Sequence, residues 1–183
     1  MAKRWLLGLL LALSATSALA IDHPVEGDRM RIQDPGDPAR RRFFFRAVKE
    51  AQITGPTIAD PTVAGATVEV FGAGGGDGNS GAIFLPPANW RALTAGNGYV
   101  YHDHSATHGG ITQVRIKRRV VGGALIISAR GANWSYTVTQ PQTDVRVRLT
   151  IDTRVYCALF TTMFPNRAGI VVGRNNPSPG ACS

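Results

Sequence analysis

The sequence predicts an all-β protein, a two-sheet antiparallel sandwich of immunoglobulin-like or jelly-roll kind with about ten short strands. Three observations predict it. Apolar and polar residues alternate with period two in many short runs. Glycine (21 residues) and proline (11) break those runs, at the roughly 8–12-residue spacing of sandwich and barrel turns. No long segment carries the 3.6-residue period of an amphipathic helix. A closed barrel is the alternative arrangement.

Residues 1–20, MAKRWLLGLLLALSATSALA, read as a secretory signal peptide. Lys3 and Arg4 precede an apolar run over residues 5–13, and Ala18-Leu19-Ala20 is a small-x-small cleavage site. The run is too short to span a bilayer, and no cysteine follows the cleavage point to carry a lipid anchor. The mature chain is then expected to begin at Ile21, to form a single β-sandwich domain over residues 21–183, and to be secreted, periplasmic or displayed at the cell surface.

Strands are expected at residues 29–33 and 42–48, separated by a turn at 35–42 that holds Pro35 and the step Asp37-Pro38. Residues 49–59 read as a loop with room for one helical turn. ATVEVF (66–71) is a strand, GAGGGDGNSG (72–81) a flexible hairpin loop, and 82–85 the returning strand, stopped by Pro86-Pro87. Trp90 opens a short segment that packs on the core, and residues 98–101 lead into YHDHSATHGG (101–110). Residues 112–120 and 124–128 form a hairpin across Gly122-Gly123. Residues 134–139, 145–151, 155–160 and 169–172 complete the set. In DVRVRLTID (144–152), Val145, Val147, Leu149 and Ile151 face inward, and Arg146, Arg148 and Thr150 face outward. In TQVRIKRRV (112–120), Val114, Ile116 and Val120 face inward, with Arg115, Lys117 and Arg119 outward. Arg118 interrupts the apolar face, which predicts a bulge or an edge position there.

Charge is distributed unevenly. Residues 21–90 carry seven basic and nine acidic side chains, while 91–183 carry eleven basic and three acidic. A positive half attracts polyanions. For an exported chain these are acidic polysaccharide or another cell-surface polyanion; nucleic acid is not specifically indicated. The candidate binding residues are Arg115, Lys117 and Arg119 on one strand and Arg146 and Arg148 on another. They form one basic field if both strands lie in one sheet. Cys157 and Cys182 are the only cysteines. In an oxidising compartment an even pair is expected to form one structural disulfide.

The candidate metal ligands are His102, His104 and His108, three imidazoles within seven residues, with Asp103 or water able to complete a shell. Ser, Thr and Gly make that loop a poor frame for catalysis, so a solvated connection with weak metal affinity is expected, and no cofactor. Gly76–Gly81 matches GxGxxG, but a strand and two prolines follow where a phosphate site needs a helix. Asp77-Gly78-Asn79 begins like a calcium loop but lacks its glycine and its glutamate. Ser80 within GNSG has no histidine suitably upstream, and an Asp103, Ser105, His108 trio lacks an oxyanion hole. Tyr99 with Tyr101, and Trp134 with Tyr136, share strand faces and read as core before they read as a sugar-stacking platform.

The motifs GDPARRRFFFR (36–46), DPTVAGATVEVF (60–71), the glycine loop, Trp90, GYVY (98–101) and YCALF (156–160) with Cys182 resemble a group of exported bacterial β-domain proteins without an established activity. The resemblance spans most of the mature chain and implies export and a sandwich fold. The reading that follows is a non-catalytic binding or surface module. The alternatives are a structural envelope or matrix component, and a small metal-dependent or hydrolytic enzyme.

Overall fold

The computed structural model describes residues 20–53, 58–119 and 121–182. Residues 1–19 of the expected signal peptide, part of the loop at 49–59, and Val120 lie outside the described residues. Thirteen strands fall into two sheets, a sandwich with three strands more than expected. The five-stranded sheet has the order β1 (Ile21–Pro24), β11 (Arg154–Phe160), β10 (Val145–Ile151), β4 (Ala66–Phe71), β5 (Ile83–Leu85). The eight-stranded sheet runs β12 (Met163–Arg167), β13 (Ile170–Asn176), β2 (Gly27–Gln33), β3 (Arg42–Glu50), β9 (Gly123–Arg130), β8 (Ile111–Lys117), β7 (Gly98–His102), β6 (Trp90–Ala92). All pairs are antiparallel except β1 with β11. One helical turn, Pro61–Ala64, is started by the Asp60 side chain, which accepts from Thr62 N.

Alternation places the core between the sheets. Val145, Val147, Leu149 and Ile151 are buried from β10, and Val114 and Ile116 from β8. Phe43 and Phe45 of the FFF run point inward while Phe44 points out and is half-buried. Phe160 of β11 reaches across to the opposite sheet, where Gly27 and Gly173 leave room for its ring. A Cβ on either glycine would lie 2.3–2.4 Å from a ring carbon.

Three local expectations fail for identifiable reasons. Residues 134–139 do not join a ladder. They keep the predicted alternation, with Trp134, Tyr136 and Val138 buried, but their backbone is satisfied by other partners. Val138 N donates to Asp34 Oδ2 (3.0 Å), and Val138 O accepts from Gly169 N (2.8 Å). Strand β8 ends at Lys117, so Arg118, expected at a bulge or an edge position, and Arg119 both lie beyond it, and the register shift of this pair is at Ile111/Gln113. The glycine loop is pinned rather than free. Asp77 accepts from Gly74 N and Thr143 N, and Gln142 Oε1 accepts from Gly78 N.

Cys157 and Cys182 are bonded, with Cα atoms 5.5 Å apart. The bond lies on the outer side of the small sheet, where Arg148 donates to Cys182 O (2.6 Å) and Asp22 accepts from Cys182 N (2.9 Å). No helix among the described residues is long and apolar enough to cross a membrane.

Candidate polyanion-binding face

The two arginine strands singled out in the sequence do not share a sheet. Arg115 and Lys117 belong to the eight-stranded sheet, Arg146 and Arg148 to the five-stranded one. Their outward faces look in opposite directions, so the single basic field built from those five residues does not form. On the small sheet Arg146 and Arg148 are matched. Arg148 faces Glu69 across the β10–β4 ladder and bonds it at 3.2 Å, and Arg146 reaches Asp144 at 3.4 Å. Both guanidiniums also stack over Phe71, at 5.9 and 5.1 Å from its centroid.

The large sheet shows the opposite pattern. Register places Arg174 opposite Arg29, Arg29 opposite Arg46, and Arg42 opposite Arg130. The row that begins Arg174–Arg29–Arg46 continues through Ile126, Arg115, Val100 and Arg91. Arg31 and Lys117 lie on the same face. Among the described residues, only Arg46 of these nine cations has a carboxylate partner, Asp28 at 2.5 Å. Like charges directly opposite each other destabilise a sheet, by roughly 0.2–1 kcal/mol per pair.

A shallow groove of about 440 Å³ opens on this face, lined by Arg29, Arg31, Arg42, Arg130, Phe44 and Ser128 among others. Register sets it in a three-by-three grid, of which all but Arg46 and Ile126 line the groove. Strand β2 supplies Arg29, Arg31 and Gln33; β3 supplies Arg46, Phe44 and Arg42; β9 supplies Ile126, Ser128 and Arg130. Phe44 is the centre. No guanidinium stacks on its ring among the described residues, unlike Phe71. Arg29, Arg31, Arg42 and Arg46 come from the half of the chain with the acidic balance, which hid them from a reading based on net charge. The signal that could have found them is alternation in RMRIQ and RFFFR.

Comparison with family models, curated proteins and solved structures gives no match for this chain.

The histidine loop is part packed and part solvated, with His104, Ser105 and Thr107 exposed. Asp103 and Ala106 are buried. Asp103 accepts from Ser105 N, Thr107 N, Thr107 Oγ1 and His108 N, so it acts as the keystone of a turn. Burial opposes ionisation of Asp103, but these donors and His108 outweigh it and hold its carboxyl at about 2. His108 Nδ1 lies 3.0 Å from both Asp103 Oδ2 and Tyr101 Oη. His102 and His104 stack on each other instead, with ring centroids 5.9 Å apart. Burial, Arg91 and His104 all push the pKa of His102 down. The three imidazoles are therefore split between two settings, and no group of three or more His, Cys, Asp or Glu suited to a metal exists among the described residues. Ser105 meets Asp103 through its backbone only. Ser80 Oγ accepts from Val70 N and donates to Gly81 O, the work of a turn residue. Tyr101, Trp134 and Tyr136 are fully buried, and Trp134 is stacked on Phe43 at 5.0 Å.

Proposed function

We propose that this protein is an exported, non-catalytic binding module that adheres to an acidic polymer through the outer face of its eight-stranded sheet. One observation carries the reading. The large sheet places arginine opposite arginine at three cross-strand positions, where the small sheet places arginine opposite glutamate. A repulsive arrangement costs stability, and such departures from local consistency concentrate at functional sites. Two further features support it. The Cys157–Cys182 bond suits an oxidising compartment, as does the leader-like segment at residues 1–20. The face also spans seven strands, a length suited to a polymer more than to a small ligand.

The test pairs two measurements, retention on immobilised polygalacturonate against salt and the thermal midpoint. Attraction of this kind weakens as the Debye length falls from about 10 Å at 0.1 M to about 3 Å at 1 M salt. Arg29→Gln/Arg42→Gln is expected to elute at markedly lower salt than the wild type. It is also expected to melt higher at low ionic strength, because all three of the repulsive pairs are relieved. Arg146→Ser/Arg148→Ser is expected to elute like the wild type. Wild-type protein that runs through at low salt refutes the reading, as does retention that depends on Arg146 and Arg148 alone.

A further inference from the structure

The grid around Phe44 is more selective than a charged surface needs to be. Its central ring is half-buried and open on its outer face, with Arg31 opposite it on one strand and Ser128 opposite it on the other. Arg42 and Arg46 lie two residues either side along the strand, about 7 Å away at ~3.4 Å per residue. Gln33 and Arg130 flank Arg42. Thr112 of the next strand joins the groove wall. Arg31 Nε is shielded and without a partner, and among the described residues the guanidinium makes no hydrogen bond or ion pair. An apolar ring, neutral hydrogen-bonding side chains and surrounding guanidiniums are the complement of a sugar ring that carries hydroxyls and a carboxylate. Guanidinium meets carboxylate through two parallel bonds.

We propose that this groove is a saccharide subsite for a uronic-acid unit. One face of the sugar ring lies on Phe44, and its carboxylate and those of its neighbours are taken by the arginine rows on either side. The chain runs across the strands. Neighbouring strands lie about 4.8 Å apart, close to the advance of one sugar unit in an extended polysaccharide, so successive units track successive strands. Substituents that project alternately to the two sides of such a chain would meet Arg42 and Arg130 on one flank, and Arg29 and Arg46 on the other. A single-stranded nucleic acid fits less well, because stacking platforms for bases use several aromatic rings in succession, and Phe44 is the one aromatic in the grid.

This inference rests on the large sheet being the polyanion-binding face, and its test separates the two. Binding of tetragalacturonate is measured by calorimetry, with its methyl ester and a short oligodeoxythymidine as the comparison ligands, alongside retention on the long polymer. Wild-type protein is expected to bind the tetramer, with the methyl ester and the oligonucleotide each at least tenfold weaker, about 1.4 kcal/mol. Phe44→Leu keeps an apolar side chain over the sheet and removes the aromatic face. It is expected to weaken the tetramer by about tenfold while the salt needed to elute it from the long polymer changes little. Phe44→Trp is expected to bind like the wild type. Melting curves establish that each variant folds. If the long polymer itself is not retained, the face and the subsite both fall. If the polymer is retained but Phe44→Leu binds the tetramer like the wild type, or the methyl ester or oligonucleotide binds as well as the acid, the subsite alone is overturned.

Discussion

Glu50 is the side chain that alternation alone would have placed wrongly. In RFFFRAVKE the inward positions are Phe43, Phe45 and Ala47, and the next in phase is Lys49. The backbone instead takes a positive φ of 64° at Lys49, the register slips between Val48 and Glu50, and the glutamate turns inward. Its Oε2 accepts from Glu26 N at 3.1 Å, and its Oε1 is buried without a partner. Burial first, then the nearby Glu26 and Asp28 charges, push its carboxyl from 4.5 to about 7, against the pull of the Glu26 N–H. Between those two values the folded chain holds a proton that the unfolded chain has released. Stability therefore falls as pH rises through that window and stays lower above it, by a contribution on the order of 3 kcal/mol. Glu50→Gln is expected to flatten the dependence of the urea midpoint on pH between about 4.5 and 7 and to stabilise the protein at pH 8. An unaltered pH profile contradicts this. Asp103 has the opposite sign. Its folded carboxyl is depressed to about 2, so its contribution is present at neutral pH and is lost only in strong acid. The sequence revealed the cluster of chemistry-bearing residues around Asp103. It did not show that one carboxylate would use its acceptor capacity on the turn that holds them.

The elements were mostly legible where one face is buried and the other wet. Strands β10 and β11 are found where the alternation in residues 144–160 puts them, because a one-residue slip would turn every valine outward. The edge strand β5 was legible at 82–85, but two other edge elements were not. β1 and β12 are short and only partly buried, and their place depends on a neighbour supplied from a distant part of the chain. The stretch at 134–139 shows that inward alternation can arise without a ladder when loops and carboxylates answer the backbone. The contact between β11 and the two glycines of the opposite sheet sets how closely the layers approach. Gly173→Ala would put a methyl 2.3 Å from Phe160 Cδ1, and overpacking of this kind costs about 1–3 kcal/mol. Chemical denaturation is expected to show that loss, and Phe160→Leu in the same chain is expected to recover part of it. Equal stability of Gly173→Ala and wild type would mean that the layers are free to separate.

At the scale of the whole molecule, the disulfide and the charge pattern are two parts of one arrangement. Cys182 is bonded to β11, its N–H is held by Asp22 of β1, and its carbonyl accepts from Arg148 of β10. The pairing itself could be inferred from two cysteines in a chain expected to be exported. What it holds together could not, because β1 joins the sheet in parallel beside β11 and no local pattern announces that. Cys157→Ser/Cys182→Ser is expected to lose about 3 kcal/mol on a chain-entropy basis for a loop of this size. It is also expected to release the tail, seen as new protease cleavage confined to residues beyond 176. Loss of retention on polygalacturonate by a folded double variant would count against a purely structural bond. The proposed binding face was half legible. Residue types and alternation marked single strands as basic, but only the order of strands decides which basic strands are neighbours. That order separates Arg115 from Arg146 and brings Arg115 into one row with Arg29, Arg46 and Arg174.

Residues 22 and 182 meet on the small sheet, while the cross-strand arginine pairs occupy the large one. On the proposed function the molecule is two-sided, like a tile with adhesive on its back. Laid on an anionic film, it would settle in one orientation, with both ends of the described chain turned towards the liquid and at least the ~10 Å between packed sheets lifted off the film. A passenger domain joined at either end would stand clear of the surface, and a coat of such tiles would present whatever it carried in a uniform direction.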